Sequence, residues 1–216
     1  MRQRAETLEN AYSKTFKRFC DILFSMILLV FSSPFLLLTA ILVKMDSPKE
    51  PILFKQIRTG YLNQPFTIYK FRSMRSLGAA KTDNNTCYNW VGEVPDDFVF
   101  KSSNGATKLS KIGYFVRKFS LDELPQLWNV LKGDMSFIGP RPEIPEITKH
   151  YSTNQMARLL TKPGISGWAQ ANGRSEMNHG QKIEFDLYYV ENCSLRLDLF
   201  ILLLTIKCVL SGKGSV

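Results

Sequence analysis

The stretch ILFSMILLVFSSPFLLLTAILV, residues 22–43, contains no charged side chain. As a straight α-helix it would be about 33 Å long, enough to cross the hydrocarbon core of a bilayer. About 20 mostly polar residues precede it, and Lys44-Met45-Asp46 follows it where a signal peptide would need small residues. The stretch therefore predicts a membrane segment that is retained in the protein.

Proline interrupts this segment near its middle, at Ser32-Ser33-Pro34. A proline inside a helix removes one N–H donor and clashes with the carbonyl four residues earlier, here that of Val30, at a cost of about 3 kcal/mol. The hydroxyls of Ser32 and Ser33 are the nearest donors for the carbonyls that this leaves unbonded. We expect the helix to kink or break at Ser33 and Pro34.

Both flanks of the segment are basic. Lysine and arginine are retained on the cytoplasmic side of membrane segments, so both ends are predicted to be cytoplasmic. A re-entrant helix hairpin satisfies this charge pattern and the proline together, and a single span is the alternative. The residues concerned are Lys14, Lys17 and Arg18 before the segment and Lys44, Lys49, Lys55 and Arg58 after it.

The composition is that of one compact domain with an appendage. The chain has 216 residues, 44% of them hydrophobic, which argues against a disordered chain, and its charged share of 22% argues against a polytopic transporter. A net charge of +9 favours an anionic partner such as phosphate, acidic lipid or nucleic acid. Four cysteines without paired spacing and two histidines make a zinc site improbable. We assign residues 1–47 to the N-terminal and membrane segment and 48–216 to a compact catalytic or binding domain.

The rest of the chain predicts an α+β fold that is mostly helical. A β-hairpin is expected over residues 52–75, followed by a polar, irregular loop over 76–107. The apolar stretch Leu199–Ile206 is too short to cross a membrane and is expected to be a packed or interfacial helix. Further helices are predicted over 110–118, 121–132, 145–160 and 181–191. The second should end at Gly133, which suits a helix C-cap, and a loop is expected over 162–174.

Ser120-Leu121-Asp122-Glu123 matches the capping-box pattern S-x-x-E, which is by itself a complete structural explanation of these residues. The alternative is chemical. Asp122 would lie in the first turn of a helix, where the backbone N–H groups keep a carboxylate ionised and able to act as a nucleophile.

Attack by a carboxylate on a diphosphate needs a divalent cation and several basic groups to offset the charge repulsion. Taken singly, each basic residue is more often a solvated surface charge. Arg141 is the strongest candidate, because the flanking Pro140 and Pro142 restrict its backbone. The candidates are Lys70, Arg72, Arg117, Arg141 and Arg174.

Five ordered motifs together resemble the bacterial sugar transferase family, the monotopic phosphoglycosyl transferases. The resemblance covers about residues 14 to 210. The motifs are Ser33-Pro34, Ile68-Tyr69-Lys70-Phe71-Arg72-Ser73-Met74, Ser120-Leu121-Asp122-Glu123-Leu124-Pro125-Gln126-Leu127, Gly133-Asp134-Met135-Ser136-Phe137-Ile138-Gly139-Pro140-Arg141-Pro142 and Pro163-Gly164-Ile165-Ser166-Gly167-Trp168-Ala169-Gln170.

The resemblance implies transfer of a sugar 1-phosphate from a UDP-sugar to a polyprenol phosphate, usually undecaprenyl phosphate, with release of UMP. It implies that Asp122 is the nucleophile of a ping-pong mechanism and that Glu123 helps to hold Mg²⁺ or prepares the acceptor, so that Asp122 and Glu123 are the metal residues. It also implies a re-entrant helix broken at Ser33 and Pro34, and a monotopic enzyme on the cytoplasmic face of the bacterial inner membrane. The partners expected are the two substrates, the membrane and downstream glycosyltransferases, without nucleic acid.

Relative to the family, the loop over 76–107 is longer and more polar, and the chain is expected to be a minimal catalytic form. A non-catalytic alternative is a basic, membrane-anchored protein that binds anions or acts as a scaffold. The clustered motifs and the presence of both carboxylates, Asp122 and Glu123, argue against it. The sequence leaves open the donor sugar, the glycoconjugate pathway and the oligomeric state.

Overall fold

The computed structural model describes residues 12–76, 88, 90, 92–99, 107–173 and 177–211. Over these residues the fold is α+β and mostly helical, with one long apolar helix at its N-terminal end and a small globular body of short strands and helices. The mostly helical α+β class predicted from the sequence is confirmed.

A short π-helix, Tyr12–Phe16, leads into helix α1, Lys17–Asp46, which is about 45 Å long. The Ser33 hydroxyl donates to the carbonyl of Val30 at 2.7 Å, so one of the two predicted donors is used as expected. However, α1 continues through Pro34 without a break. The predicted re-entrant hairpin is therefore not confirmed by the secondary structure of α1, and it stays a prediction.

In the part of the chain that the structure describes, α1 is the one helix long and apolar enough to cross a membrane. Only 11% of its most apolar 18 residues are buried, which distinguishes it from the core helix of a soluble protein. Its exposed side chains include Val30, Phe31, Phe35 and Leu37. The large apolar surface that they form supports the predicted membrane association.

The predicted hairpin is confirmed. Strands β1, Leu53–Thr59, and β2, Pro65–Phe71, pair antiparallel through a turn over Tyr61–Asn63, and Lys70 lies opposite Phe54. A shorter antiparallel pair follows, made of β3, Met74–Ser76, and β4, Thr107–Leu109.

Two helices flank the predicted capping box. Helix α2, Lys111–Lys118, is capped by the Ser110 side chain, and helix α3, Gln126–Lys132, ends at Gly133 in the left-handed conformation, as predicted. The intervening residues Leu121–Glu123 form a separate 3-10 turn rather than the start of one helix over 121–132. The turn is followed by Pro125, whose lack of an N–H is compatible with the change from one element to the next.

The motifs Gly139–Pro142 and Pro163–Gly167 lie against each other. Strands β5, Ser136–Ile138, and β6, Gly164–Ser166, pair in parallel, although the sequence predicted only a loop over 162–174. A Cβ atom on Gly164 would lie 2.1 Å from the Gly139 nitrogen. Only glycine allows the two backbones this close.

The predicted helix over 145–160 is wrong, because the structure has two shorter elements there, helix α4, Pro145–Thr148, and a 3-10 helix, Gln155–Leu160. The Ser152 N–H donates to the Gln155 side-chain oxygen at 3.1 Å, and the Gln155 N–H donates to the Ser152 hydroxyl at 3.2 Å, so a new helix start competes with continuation of the first.

Three helices complete the body: α5, Trp168–Asn172, α6, His179–Glu191, and α7, Leu195–Ser211. Helix α6 begins with a capping box between Asn178 and Gln181, and α7 extends beyond the predicted apolar stretch at both ends. A core cluster joins β5, α6 and α7 through Ile138, Tyr189 and Ile201.

The described part of the 76–107 segment is not purely polar. Trp90 stacks on Tyr88, and both pack with Val94 and Phe98 on helix α4 and its surroundings. The backbone N–H of His179 donates to the Phe98 carbonyl at 2.7 Å, which fastens residues 92–99 to the start of α6. The remainder of the predicted loop lies outside the described residues.

Candidate active site

Two basic side chains from separate elements meet at Glu123. Lys70, near the end of β2, donates from Nζ to Glu123 Oε1 at 2.9 Å. The two terminal nitrogens of Arg141, three residues beyond β5, each lie 3.4 Å from the same oxygen. Lys70 and Glu123 are mostly buried, whereas the Arg141 side chain is 52% exposed. The cluster is therefore open to solvent on the Arg141 side.

Asn129, in α3, fixes the position of β2 relative to the 3-10 turn that bears Glu123. Its side-chain oxygen accepts from the Tyr69 N–H at 3.2 Å, and its Nδ2 donates to the Thr67 carbonyl at 2.7 Å. Asn129 is fully buried, so these bonds are shielded from water. They hold Lys70 beside the turn.

The turn that carries the two adjacent carboxylates is set by Ser120, which has φ +54° and adopts the left-handed conformation. The Glu123 N–H donates to the Ser120 carbonyl at 3.1 Å. The Ser120 side chain does not cap the turn, and the Glu123 side chain is bonded to Lys70 instead of reaching back. The capping-box interpretation is therefore wrong in its side-chain contacts.

The two carboxyl groups have opposite pKa shifts. Burial raises the pKa of Glu123, but the charges and hydrogen bonds of Lys70 and Arg141 outweigh it and lower the pKa to about 2. Burial and the neighbouring charge of Glu123 raise the pKa of Asp122 to about 6, against the opposing effect of Lys70, Arg117 and Arg141. At neutral pH both groups are ionised, and Asp122 is the stronger base.

The expectation that Asp122 is ionised at neutral pH agrees with its pKa of about 6, but the helix N-terminus is not the cause. Asp122 belongs to a three-residue 3-10 turn rather than to the first turn of a long helix, so little dipole is available to it. Desolvation and repulsion by Glu123 dominate instead.

Two further arginines hold the backbone of the Pro140–Pro142 turn. Arg158 donates from one terminal nitrogen to the Arg141 carbonyl at 3.0 Å, and Arg58 donates to the Pro142 carbonyl at 3.1 Å. Arg158 is itself buried and paired with Asp186 at 2.5 Å. The proline argument for Arg141 is therefore incomplete, because the chain around it is also held by hydrogen bonds.

The structure brings together most of the predicted basic residues. Lys70 and Arg141 contact Glu123, and Arg117 is close enough to lower the pKa of Asp122. Arg72 is elsewhere: its guanidinium donates to the Pro51 carbonyl at 3.1 Å and lies 3.2 Å from Glu50. Arg174 lies outside the described residues.

Sequence reasoning missed Arg58, Asn129 and Arg158. Their partners lie 84, 60 and 17 residues away along the chain, so no local spacing indicated them. The buried position of Arg158 also breaks the general expectation that arginine is exposed, and its pairing with Asp186 and its bonds to Tyr151 and the Arg141 carbonyl explain it.

Within the described ranges no group of three or more histidine, cysteine or acidic side chains is arranged to hold a metal ion. Asp122 and Glu123 supply two adjacent carboxylates that repel each other. Magnesium in enzymes of phosphate chemistry commonly uses one or two carboxylates and takes its remaining ligands from water and substrate phosphates. The pair fits that donor set, because a divalent cation would offset the repulsion.

The chain was compared with known proteins. The model of the bacterial sugar transferase family matches residues 12–212. The chain belongs to the bacterial sugar transferase family. This membership confirms the resemblance predicted from the five motifs, and with it the prediction of a transferase enzyme.

Curated relatives from the sugar transferase family cover nearly the whole chain. An uncharacterised sugar transferase, EpsL, of Bacillus subtilis (strain 168) is 40% identical over 92% of this chain and 89% of its own length. A UDP-N-acetylgalactosamine-undecaprenyl-phosphate N-acetylgalactosaminephosphotransferase of Aeromonas hydrophila is also 40% identical, over 92% of this chain and 44% of its own length. A UDP-glucose:undecaprenyl-phosphate glucose-1-phosphate transferase of Klebsiella pneumoniae is 39% identical, over 91% and 40%. The chain thus spans less than half of these two transferases.

Proposed function

We propose that this protein transfers a sugar 1-phosphate from a UDP-sugar to undecaprenyl phosphate or a related polyprenol phosphate, with release of UMP. The observation that carries the proposal is the Asp122–Glu123 pair, surrounded by Lys70, Arg117 and Arg141, in a chain of this family. The names of the Aeromonas and Klebsiella relatives describe this class of reaction.

In the first step an oxygen of the ionised Asp122 carboxylate attacks the phosphorus that bears the sugar. A bond forms between that oxygen and phosphorus, and the bond from phosphorus to the bridging diphosphate oxygen breaks. The electron pair of the broken bond leaves with UMP. The raised pKa of Asp122 suits this role, because a more basic carboxylate is a better nucleophile as long as it is ionised.

In the second step a phosphate oxygen of the lipid attacks the same phosphorus. The bond from phosphorus to the Asp122 oxygen breaks, and the carboxylate is restored. The product is a diphosphate-linked sugar that stays in the membrane, where downstream glycosyltransferases would extend it. A covalent intermediate lets two anionic substrates use one phosphate site in turn.

The basic side chains offset the charge that both steps bring together. Lys70 and Arg141 already contact Glu123, so both lie beside the carboxylate pair before a substrate binds. The exposed Arg141 guanidinium presents a planar fork that matches phosphate geometry. Arg117 adds a third positive charge near Asp122.

We propose Mg²⁺ as the cofactor, held by Asp122 and Glu123 together with substrate phosphate oxygens. When bound, it would neutralise charge on the diphosphate. The mutual repulsion of the two carboxylates is the observation that supports it.

We further propose that the protein is monotopic, on the cytoplasmic face of the bacterial inner membrane. Both ends of α1 contact the same globular body: Lys17 bonds to Tyr189 at 2.8 Å and to Asp198, and Asp46 accepts from Arg75 at 2.6 and 3.0 Å. A helix that crosses a bilayer would place its two ends on opposite sides. These contacts support a membrane segment that enters and leaves on one side, although they leave the helix unbroken at Pro34.

Labelling of single cysteines tests this topology, in a background in which Cys20, Cys87, Cys193 and Cys208 are replaced by alanine. A cysteine introduced at Lys49, after α1, and one introduced at Gln3, before it, should both resist a membrane-impermeant maleimide in intact cells and react after lysis. Reaction of either one in intact cells would contradict the proposal.

The reaction is tested with the purified protein in detergent, Mg²⁺ and undecaprenyl phosphate. UDP-N-acetylgalactosamine, UDP-glucose and UDP-galactose are supplied separately, and UMP is measured. We expect UMP release with at least one donor, dependent on both the lipid and Mg²⁺ over many turnovers. If no donor gives UMP release and the protein binds to anionic vesicles, the non-catalytic alternative would be favoured.

A further inference from the structure

The first turns of α1 carry a polar stripe that a membrane helix does not need. Lys17, Asp21 and Ser25 are buried, with 7%, 4% and 0% of their surface exposed. Together with Arg18 they lie at helical spacing on one face, which packs against the globular body. Buried charged groups are costly unless they are bonded, so each partner of this stripe indicates what it does.

Asp21 holds strand β5. Its Oδ1 accepts from the Ser136 hydroxyl at 3.0 Å and from the Phe137 backbone N–H at 3.1 Å. The strand ends at Ile138, and Arg141 follows three residues later. A hydrogen bond between a buried carboxylate and a backbone N–H is among the stronger ones in proteins, so it fixes the strand on α1.

Arg18 holds the end of helix α3. Its two terminal nitrogens donate to the carbonyls of Val130 at 2.6 Å and Leu131 at 2.8 Å. These belong to the last turn of the helix, whose carbonyls have no partner four residues further on. Arg18 also packs closely against Gly133, because a Cβ atom on Gly133 would lie 3.2 Å from a terminal nitrogen of Arg18. Helix α3 begins three residues after Glu123, so a bond that fixes this helix on α1 also fixes the position of the 3-10 turn.

The polar stripe therefore holds α3 and β5, the two elements that adjoin Glu123 and Arg141. Glu123 precedes α3 and Arg141 follows β5, and the two side chains are 3.4 Å apart. That contact is long for a charged pair and half exposed, so it has little stiffness of its own. The geometry of this contact therefore depends on the bonds that fix the backbone near Glu123 and near Arg141.

We infer that Arg18 and Asp21 are positioning residues, which set the separation of Glu123 and Arg141 by fixing α3 and β5 on the same helix. The packing of α1 on the globular body is thereby coupled to the geometry of the cluster formed by Lys70, Glu123 and Arg141. The inference rests on the proposed function, because its consequence is a change in turnover. Neither residue touches the reacting atoms.

The test uses Asp21→Ala, which removes the acceptor, and Asp21→Asn, which keeps an oxygen able to accept both bonds. UMP release is measured in detergent with the UDP-sugar of the three above that supports turnover. We expect Asp21→Ala to lower kcat by about 10- to 100-fold, the loss that a misplacement near 1 Å causes. We expect Asp21→Asn to recover most of it.

A second background separates positioning from general destabilisation. If Asp21 acts through Arg141, then Asp21→Ala should cost less than about threefold in kcat when Arg141→Gln is already present, because coupled residues are not additive. A purely structural role would lower kcat by the same factor in both backgrounds. Equal factors would overturn the inference.

Arg18→Met provides an independent variant, with a neutral side chain of similar length and the same expected non-additivity with Arg141→Gln. It carries the test should Asp21→Ala not fold. Thr39→Val is the matched control, because Thr39 is 2% exposed on the same helix and has no contact with β5 or α3 in the described hydrogen bonds. It should keep wild-type turnover.

Two failures can be told apart. Wild-type protein that releases no UMP would overturn the proposed function and this inference with it. Active wild type with unchanged Asp21→Ala and Arg18→Met variants would overturn the inference alone.

Discussion

Two carboxylate–arginine pairs in this protein differ in how far they are exposed to solvent. Asp186 and Arg158 are 1% and 4% exposed and lie 2.5 Å apart, and Tyr151 accepts a further bond from Arg158 at 2.5 Å. Glu123 and Arg141 are 3.4 Å apart, and Arg141 is half exposed. The first pair is sealed within the body, and the second is open to a ligand.

The difference separates structure from chemistry. A sealed pair loses hydration on both partners, so it is stable only with short, complete bonds, and it has no charge left for a substrate. In the open cluster Lys70 and Arg141 share one oxygen of Glu123, and Arg117 and Asp122 lie nearby. That arrangement keeps positive charge available for a phosphate. The two clusters are joined, because Arg158 also bonds to the Arg141 carbonyl.

The largest effect is expected from Asp122→Asn, which should lower UMP release by at least about 1,000-fold, because the amide cannot act as the nucleophile. The unfolding temperature should stay the same or rise slightly, since the repulsion by Glu123 is removed. Steady-state UMP release and thermal unfolding in detergent measure the two effects. Activity within tenfold of wild type would exclude Asp122 as the nucleophile.

Disruption of the sealed pair, Asp186 and Arg158, should lower the free energy of unfolding of the protein. Arg158→Met leaves Asp186 buried without its partner, and we expect the free energy of unfolding to fall by roughly 3–5 kcal/mol. Denaturant unfolding in micelles measures this. The double variant Arg158→Met with Asp186→Leu should recover a large part of the loss, because both charges are gone. A double variant as unstable as the single one would contradict the view that the unpaired charge of Asp186 causes the loss.

The open cluster should respond in rate. Glu123→Gln removes the charge that holds Lys70 and Arg141, and we expect turnover to fall by about 100-fold, the loss typical of a disturbed electrostatic site. Its free energy of unfolding should change far less than that of Arg158→Met. Loss of stability without loss of rate would reverse the assignment of the two clusters.

The pH dependence follows from the raised Asp122 pKa. Only the ionised carboxylate attacks, so the rate of the first step should fall as the pH decreases through about 6. In Glu123→Gln the negative neighbour is absent while Lys70 and Arg141 remain positive, so the Asp122 pKa decreases and the fall in rate moves to lower pH. Single-turnover rates across pH test this. An unmoved or upward-shifted profile would show that another group controls the rate.

The smallest effect is expected at Arg72. Its guanidinium is bonded to Pro51 and Glu50, away from the open cluster, so Arg72→Gln should change turnover by less than about threefold. The same assay as for Asp122→Asn applies. A large loss would return Arg72 to the substrate site, where the sequence placed it.

The failures of sequence reasoning have identifiable physical causes. Lys70 and Arg72 are two residues apart and would share a face of a continuous strand, but β2 ends at Phe71, and Arg72 turns towards Glu50. Glu123 fits a capping box locally, yet its partner Lys70 is 53 residues away and decides its orientation. Local patterns cannot contain such long-range partners.

Features decided within a few residues were predicted well. The hairpin, the glycine cap of α3 and the apolar α1 each follow from neighbouring side chains and backbone requirements. The helix predicted over 145–160 failed even though its signal is local, because Ser152 and Gln155 form a helix start within it. The parallel pairing of β5 and β6 depends on contact between Gly139 and Gly164, 25 residues apart, which spacing does not indicate.

The intact mass of the protein tests the covalent role of Asp122 most directly. Wild-type protein and Asp122→Asn are each incubated with the three UDP-sugars and Mg²⁺, without lipid acceptor. The account predicts a mass increase of one sugar phosphate on the wild type with at least one donor, none on Asp122→Asn, and loss of the adduct when undecaprenyl phosphate is added. Lipid-dependent UMP release by a wild-type protein that never gains this mass, or an adduct that persists on Asp122→Asn, would contradict it.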